Sequence, residues 1–249
     1  MRRMVIIGGA LAAVLVVVAI GGLFWFFSGD EPEAASVDAA LAKATAAAAS
    51  STAAATAAAT GTSSATPTAA ASGDLSGTYQ IVKGDTTFAG YRIKEVLGSI
   101  GNNTAIGRTG DVTGSLTFDG KAITKTEITV GLTSLKSDDS RRDSTYARSG
   151  LQTNQFPSAK FVLTQPIAIA TMPAEGAKVK FDATGDFTLH GVTKRVTIPL
   201  EGARQGGQVI VAGSLEIALA DYSIQKPQAP SVLSIEDKGF MEFQLVFKK

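Results

Sequence analysis

From Leu75 onward the sequence alternates apolar and polar residues with a period of two, and this alternation restricts the fold more than any other feature. Val179, Phe181, Ala183, Gly185, Phe187 and Leu189 share one parity, while Lys178, Lys180, Asp182, Thr184, Asp186 and Thr188 share the other. Val209, Val211, Gly213, Leu215, Ile217 and Leu219 repeat the scheme, as do Val112, Gly114, Leu116 and Phe118, then Ile128, Val130 and Leu132. Phe161, Leu163, Ile167 and Ile169 follow, then Val196, Ile198, Leu200 and Gly202, and Met241, Phe243, Leu245 and Phe247 close the series. With Tyr79–Lys83 and Thr86–Lys94 the pattern predicts about eight or nine half-buried strands.

Asp119-Gly120, Gly191-Val192-Thr193 and Gly206-Gly207 punctuate the strands. Such short connections require antiparallel neighbours. Long antiparallel strands with one apolar face either stack as a sandwich or close as a barrel. Gly and Ala interspersed on the apolar face favour closure around a cavity, because they leave room inside and relieve crowding where strands bend. The expected class is therefore all-β, an antiparallel barrel over residues 75–249. One helix interrupts it: Ser137-Asp138-Asp139 can cap a helix from about Ser140 to Ser149, with Gly150 ending it and Pro157 confirming the break.

Upstream the composition changes twice. Met4 to Phe27 contains no charged residue and ends in Phe24-Trp25-Phe26-Phe27, a run long enough for a ~30 Å hydrocarbon core at ~1.5 Å per residue. Arg2 and Arg3 precede it; Asp30, Glu31 and Glu33 follow. The positive-inside bias then leaves residues 1–3 in the cytoplasm and everything after Phe27 outside, as in a single-pass protein of the cell membrane. The rival is a cleaved signal peptide, for which Ala34-Ala35-Ser36 is the nearest site, but the run is long and bulky aromatics stand where cleavage would be read. Residues 28–74 are mostly Ala, Thr and Ser. Their composition predicts a disordered stalk, partly helical at most between Ala39 and Ala59, and disordered from Thr60 to Ser72. It reads as a plain spacer or as an O-glycosylated stalk.

A net charge of +1 and the lack of any basic block in the body of the chain argue against a nucleic-acid partner. With no cysteine there is no disulfide, thiolate metal site or lipidated cysteine. His190 is the only histidine, so no His-rich metal site exists. No Ser-centred elbow or His-Glu-x-x-His motif surrounds it. At the entrance to a turn, it reads as a structural hydrogen-bonding residue before a catalytic one.

Leu132-Thr-Ser-Leu-Lys-Ser-Asp-Asp-Ser-Arg-Arg-Asp143, followed by Phe156-Pro157 and Phe161, resembles the YceI-like family. Gly185-Asp-Phe-Thr-Leu-His-Gly-Val-Thr-Lys-Arg-Val196 is similar to that family's Leu-Thr-x-His-Gly-Val-Thr-Arg segment. The resemblance covers about Thr78 to Phe247. It implies a lipocalin-like barrel whose tunnel binds a polyisoprenoid or similar long apolar chain, in a periplasmic or extracellular setting, with no cofactor. Two features depart from the family's simple secreted form: the anchor with its stalk, and Tyr79 where the family has Trp near its first strand.

Parity marks Tyr91, Ile93, Phe118, Val130, Phe161, Phe187, Leu189, Leu215 and Phe243 as cavity candidates. Arg141 and Arg142, beside Asp143, have two readings: an arginine at the cavity mouth that grips a pyrophosphate or quinone oxygen at the head of a lipid, or an Arg–Asp pair that fixes the helix to the barrel. Val96, Leu97, Ile100, Ala105 and Ile106, within or beside the Gly/Asn-rich connecting loop Gly98 to Gly110, read equally as a lid over the cavity or as a satellite of the core. Asn102-Asn103-Thr104 matches a glycosylation sequon. Gly107-Arg-Thr-Gly-Asp111 lacks the Lys-Ser/Thr of a phosphate loop.

The expected function is a non-enzymatic carrier, held to the membrane through Met4–Phe27. Burial would supply its affinity at ~0.8 kcal/mol per CH₂, offset by ordering the flexible chain. The alternatives are a filled barrel serving as a protein-interaction module, or an enzyme acting on an apolar substrate. A homodimer is compatible with the sequence.

Overall fold

The computed structural model describes residues 32–56 and 75–249. Twelve strands are present: β1 (Gly77–Ile81), β2 (Phe88–Leu97), β3 (Gly101–Thr109), β4 (Val112–Phe118), β5 (Ala122–Gly131), β6 (Ser158–Leu163), β7 (Ile167–Ala168), β8 (Val179–Leu189), β9 (Val192–Gln205), β10 (Gln208–Ala218), β11 (Val232–Ile235) and β12 (Lys238–Lys248). Eight of them form a ring in the order β1-β4-β5-β6-β8-β9-β10-β12, and β12 returns to β1 through Gln80↔Lys248 and Ile81↔Phe247. Every pairing is antiparallel, and the ring is a closed barrel.

Strand β12 divides its remaining edge. Its end pairs with β1, while Phe240–Gln244 pair with β2, which carries β3 and β11 in turn. The β2–β3 hairpin therefore extends one end of the barrel beyond the ring.

Turn chemistry follows the sequence closely. His190-Gly191 joins β8 to β9 with φ of 51° and 75°, and Gly206-Gly207 joins β9 to β10 with 57° and 76°. Two positive φ values in succession give the primed turn whose twist suits a two-residue hairpin. At Asp119-Gly120 the Asp119 carboxylate accepts from the Lys121 and Ala122 amides at 2.8 and 2.7 Å. Those backbone hydrogen bonds, the one from Ala122 foremost, hold its pKa below the ordinary value.

The inserted helix, here α2 (Ser140–Thr145), starts where expected. Asp139 caps it by accepting from the Arg141 amide at 2.8 Å, and a π-helical turn carries it on from Tyr146 to Gly150. Between Leu163 and Ile167 the predicted continuous strand breaks: Pro166 has no amide for a ladder, and only the two-residue β7 resumes, against β5.

Two expectations need correction. Gly101–Thr109, read as a loop, is strand β3, paired with β2 from Ala89↔Thr109 to Leu97↔Gly101. Gly101, Asn102, Asn103 and Thr104 carry no apolar alternation, yet Ala105 is fully buried with Ile93 and Ile235. The stretch is thus a hairpin with a satellite core, and Ile100 lies exposed at its tip.

The stalk differs as well. Where partial helix at most was expected between Ala39 and Ala59, Val37–Thr56 form a continuous helix, α1, and its first turns pack on the outside of the barrel. Val37 and Ala40 are buried against Ala203, Ile210, Ala212 and Val246, with Leu41 and Ala44 alongside. These four helix positions stand at i, i+3, i+4 and i+7, the spacing of a single helix face. The Ser36 hydroxyl caps the start by accepting from the Asp38 amide at 3.1 Å, and Lys178 pairs with Asp38 at 2.7 Å. Among the described residues no helix is long and apolar enough to cross a membrane. The anchor expected over Met4–Phe27, and residues 57–74 of the stalk, lie outside the described residues.

Candidate functional site

Alternation aims one row of side chains from every ring strand at the barrel axis, yet those rows do not fill the interior. Three adjoining cavities, of about 130, 90 and 80 Å³, follow one another through the barrel. Strand β8 passes all three in order: Val179 and Phe181 line the third, Phe181, Ala183 and Phe187 the second, Phe187 and Leu189 the first. Ala89, Val130, Ala159, Phe187 and Met241 are walls common to the first and second. Leu116, Ile123, Phe181 and Val211 are common to the second and third. The result is one apolar tunnel, roughly 33 Å long if measured along β8 at about 3.3 Å per residue.

The first segment is closed by pieces outside the ring. Tyr91 and Ile93 come from β2, Tyr146 and Leu151 from the helical insertion, and Leu219, Ile224 and Pro227 from the chain after β10. Tyr91 and Tyr146 meet with ring centroids 5.4 Å apart. Gly107 makes room for Tyr91, because the ring lies where a Cβ would stand. Burial, and next the neighbouring Tyr146, pushes the Tyr91 phenol well above its ordinary pKa. Burial, then the Glu95 carboxylate, pushes Tyr146 up to about 12. Both are neutral phenols at any physiological pH. The Tyr146 hydroxyl is buried without a hydrogen-bond partner.

Eight of the nine cavity candidates line the tunnel. Tyr91, Ile93, Val130, Phe187 and Leu189 stand in the first segment, Val130, Phe161 and Phe187 with Phe243 in the second, and Phe118 in the third. Leu215 does not line it; this side chain packs against the cluster of Leu132, Phe187 and Tyr222. The two arginines part company. Arg141 points into solvent, 92 % exposed, 3.5 Å from Asp139. Arg142 is held on two sides, by Asp138 and by Glu95 at 2.8 Å, with Glu95 itself 1 % exposed. Asp143 turns back to accept from the Ser137 amide and hydroxyl at 2.9 and 2.7 Å. Arg142 does tie the helix to β2, but through Glu95 and not through the aspartate expected; its aspartate partner, Asp138, lies just ahead of the helix itself.

His190 makes its bond across the fold and not within its turn. Its Nδ1 lies 3.0 Å from the Tyr222 carbonyl, which can only accept, so Nδ1 carries the proton. Phe156 packs on the ring at 4.3 Å, and His190 does not line the tunnel. Among the described residues no group of three or more His, Asp or Glu converges as metal ligands would.

The candidate list missed several wall residues. Phe181, Leu200, Met241 and Leu245 carry the same parity signal as those chosen. Tyr146 carries none, because it belongs to a helix whose contact with the tunnel depends on tertiary packing.

The profile of the YceI-like domain matches residues 79–247. The chain belongs to the YceI-like family. A UPF0312 protein of Pseudomonas paraeruginosa is 32 % identical over 173 residues, spanning 65 % of this chain and 84 % of that protein. Protein YceI of Shigella flexneri is 29 % identical over 177 residues, with the same two coverages, 65 % and 84 %. Among solved structures, a polyisoprenoid binding domain from Saccharophagus degradans implicated in plant cell wall breakdown superposes with a TM-score of 0.53. It is 15 % identical and covers 70 % of this chain and 98 % of its own, so the likeness is one of fold.

Proposed function

We propose that this YceI-like protein is a non-enzymatic carrier that holds a polyisoprenoid or similar long-chain lipid in its barrel tunnel, and that Met4–Phe27 anchors it in the membrane with the barrel outside. The observation that carries this reading is the unfilled interior. Val130, Phe161, Phe181, Leu200, Met241 and Phe243 point inwards and are nonetheless only half-buried, because they face the tunnel. Apolar wall of this kind gains about 25 cal/mol for each Å² that a bound chain covers. The tunnel is narrow and segmented end to end, which suits a linear chain better than a compact ligand. The binding of a polyisoprenoid by a domain of the same fold in Saccharophagus degradans supports the choice of ligand class. The anchor would hold the tunnel near its lipid source, and the apolar run bounded by Arg2–Arg3 and by Asp30, Glu31 and Glu33 supports that placement.

The test is native mass spectrometry of the full chain, released from membranes in mild detergent, before and after incubation with a polyprenyl lipid mixture. The expected result is a protein peak with one lipid mass added, resistant to washing. A protein that carries no lipid and takes up none overturns the carrier reading.

A further inference from the structure

Among the described residues three large apolar side chains are exposed, and all three lie at one end of the fold. Ile100 is 68 % exposed, Leu233 71 % and Phe240 46 %. They belong to the region where β2, β3, β11 and the start of β12 extend the barrel beyond its ring. Ile100 and Leu233 stand together at the far tip. There the Gly98 amide donates to the Ser231 carbonyl at 3.0 Å, and a Cβ at Gly98 would touch the Leu233 side chain.

The same tip is free of charge. Residues 96–107 and 227–235 form it, and neither stretch contains an acidic or basic side chain. Charges resume one level back, where Lys94, Lys226, Glu236 and Asp237 are exposed and Glu95 is buried. Lys94 to Leu97 on β2 spans about 10 Å at ~3.3 Å per residue, which sets the depth of the uncharged cap. Interfacial apolar elements enter the headgroup and acyl boundary of a bilayer to a similar depth, ~5–10 Å. Deeper entry is closed to this tip. Near it β3 pairs only with β2, and the backbone groups of its other edge need water.

Two protruding aliphatic side chains are too few for a stable protein partner, whose interface buries about 800 Å² on each side. A bilayer tethered to the same chain needs far less, because the tether supplies the effective concentration. The tether also has the reach. The Ala35 amide lies 3.5 Å from Glu242, which faces Gly90 on β2. From Gly90 to Leu97 is about 23 Å along that strand. From Phe27 to Ala35 the chain can span up to about 28 Å. A bilayer holding Met4–Phe27 is thus within reach of the tip while the start of α1 stays docked.

We infer that this tip, with Ile100 and Leu233 foremost, is a membrane-docking surface that enters the interface of the bilayer holding the anchor. The inference rests on the anchor part of the carrier reading and adds an orientation to it. Pro227 and Ile235, from the same end, line the first tunnel segment. Docking therefore turns that segment, and not the third, toward the lipid surface.

The chain has no cysteine, so a single fluorophore can be placed cleanly. Full-length Ser99→Cys and Lys121→Cys proteins, each carrying an environment-sensitive dye, are reconstituted into phosphatidylcholine vesicles with and without lipid brominated on its acyl chains. Both positions are exposed; Ser99 is at the tip, and Lys121 lies in the turn between Phe118 and Ile123, walls of the third segment. The Ser99 dye should lose about half its emission or more to bromine, as entry to ~5–10 Å requires, and the Lys121 dye should lose none. Adding Ile100→Asp and Leu233→Asp to the Ser99→Cys protein should abolish that loss, with flotation on the vesicles and melting temperature unchanged. Equal quenching at the two sites, or quenching that survives the two aspartates, overturns the docking surface while flotation keeps the anchor reading standing. A dye response that follows protein density in the vesicle and ignores bromine overturns it too, since a second copy then covers the patch. A protein that does not float with the vesicles overturns the anchor reading, and this inference falls with it.

Discussion

The two faces of β12 reverse the usual relation between polarity and burial. On its inner face Met241 and Phe243 are apolar and only half-buried; on its outer face Glu242 and Gln244 are polar and almost fully buried, at 2 and 3 % exposure. The inner pair keeps accessible surface because it lines a tunnel. The outer pair loses its surface to a second layer. Glu242 receives Arg92 at 2.7 Å and Arg108 at 2.8 Å, and the amides of Ala35 and Ser36 reach Glu242 and Gln244 at 3.5 and 3.3 Å. Beyond them Val246 is covered by α1. Parity therefore identifies which side chains share a face, but whether that face is covered depends on what else the chain places there. Here the apolar face is left uncovered, and the polar face is closed by the protein itself.

The inner face is the easier to break. Phe187 is a wall common to the first two tunnel segments and packs edge-on against Tyr222 at 5.6 Å. Phe187→Arg puts an unpaired charge into hydrocarbon surroundings and obstructs the channel. Bound lipid should be lost, and stability should fall by about 3–5 kcal/mol, the scale of an uncompensated buried charge. For a domain of this size that is roughly 10 °C or more in melting temperature. Thr188→Arg is the control. Its hydroxyl reaches only Thr193 on the outside of the hairpin, so the change should stay within about 0.5 kcal/mol and leave lipid retention intact. Equal behaviour of the two variants, by mass spectrometry and thermal melting, would break the assignment of inner and outer face.

The outer face should respond less, and through stability alone. Glu242→Leu deprives Arg92 and Arg108 of their common carboxylate, where their side chains are 18 and 24 % exposed. Partial access to water softens the penalty that full burial would bring, so the expected loss is about 2–3 kcal/mol. Lipid affinity should be unchanged once the protein is folded, since Glu242 does not line the tunnel. A drop in lipid binding at temperatures well below melting would show that the two faces are coupled.

How legible the molecule was follows the same division. Strict alternation along β8, β10 and β12, the paired positive-φ turns and the Asp139 cap are local signals, and each produced its element near the expected place. Strand β3 went unread because Asn102, Asn103 and Thr104 carry no apolar period; pairing with β2 overrides their weak local preference. Helix α1 was read as spacer because alanine signals helix propensity but little burial. Its signal was present nonetheless in Val37, Ala40, Leu41 and Ala44, a stripe at helical spacing. Tyr146 could not be found by period at all. Its place follows from how the insertion folds over the barrel's end, and that is a tertiary fact.

That stripe gives the smallest expected effect and the most direct test of the second layer. Val37 is fully buried, and it directly follows Ala35 and Ser36, whose amides reach Glu242 and Gln244. Val37→Asp replaces the apolar anchor of α1 with a charge facing Ala203, Ile210, Ala212 and Val246. The barrel ring contains none of these helix contacts in its own hydrogen bonding, so its melting should shift by a few degrees at most. The helix itself should come away. Limited proteolysis under native conditions is the sensitive measurement, because cleavage tracks the free energy of local opening, with about tenfold in rate for each 1.4 kcal/mol. Wild type should resist cutting between Ala34 and Ala46, and Val37→Asp should be cut there at least tenfold faster, releasing an intact β-rich fragment. Equal and rapid cutting of both proteins would mean that α1 does not close the outer face in solution. Glu242 would then owe its cover to Arg92 and Arg108, and Gln244 would keep only its bond to the Thr86 carbonyl at 2.7 Å.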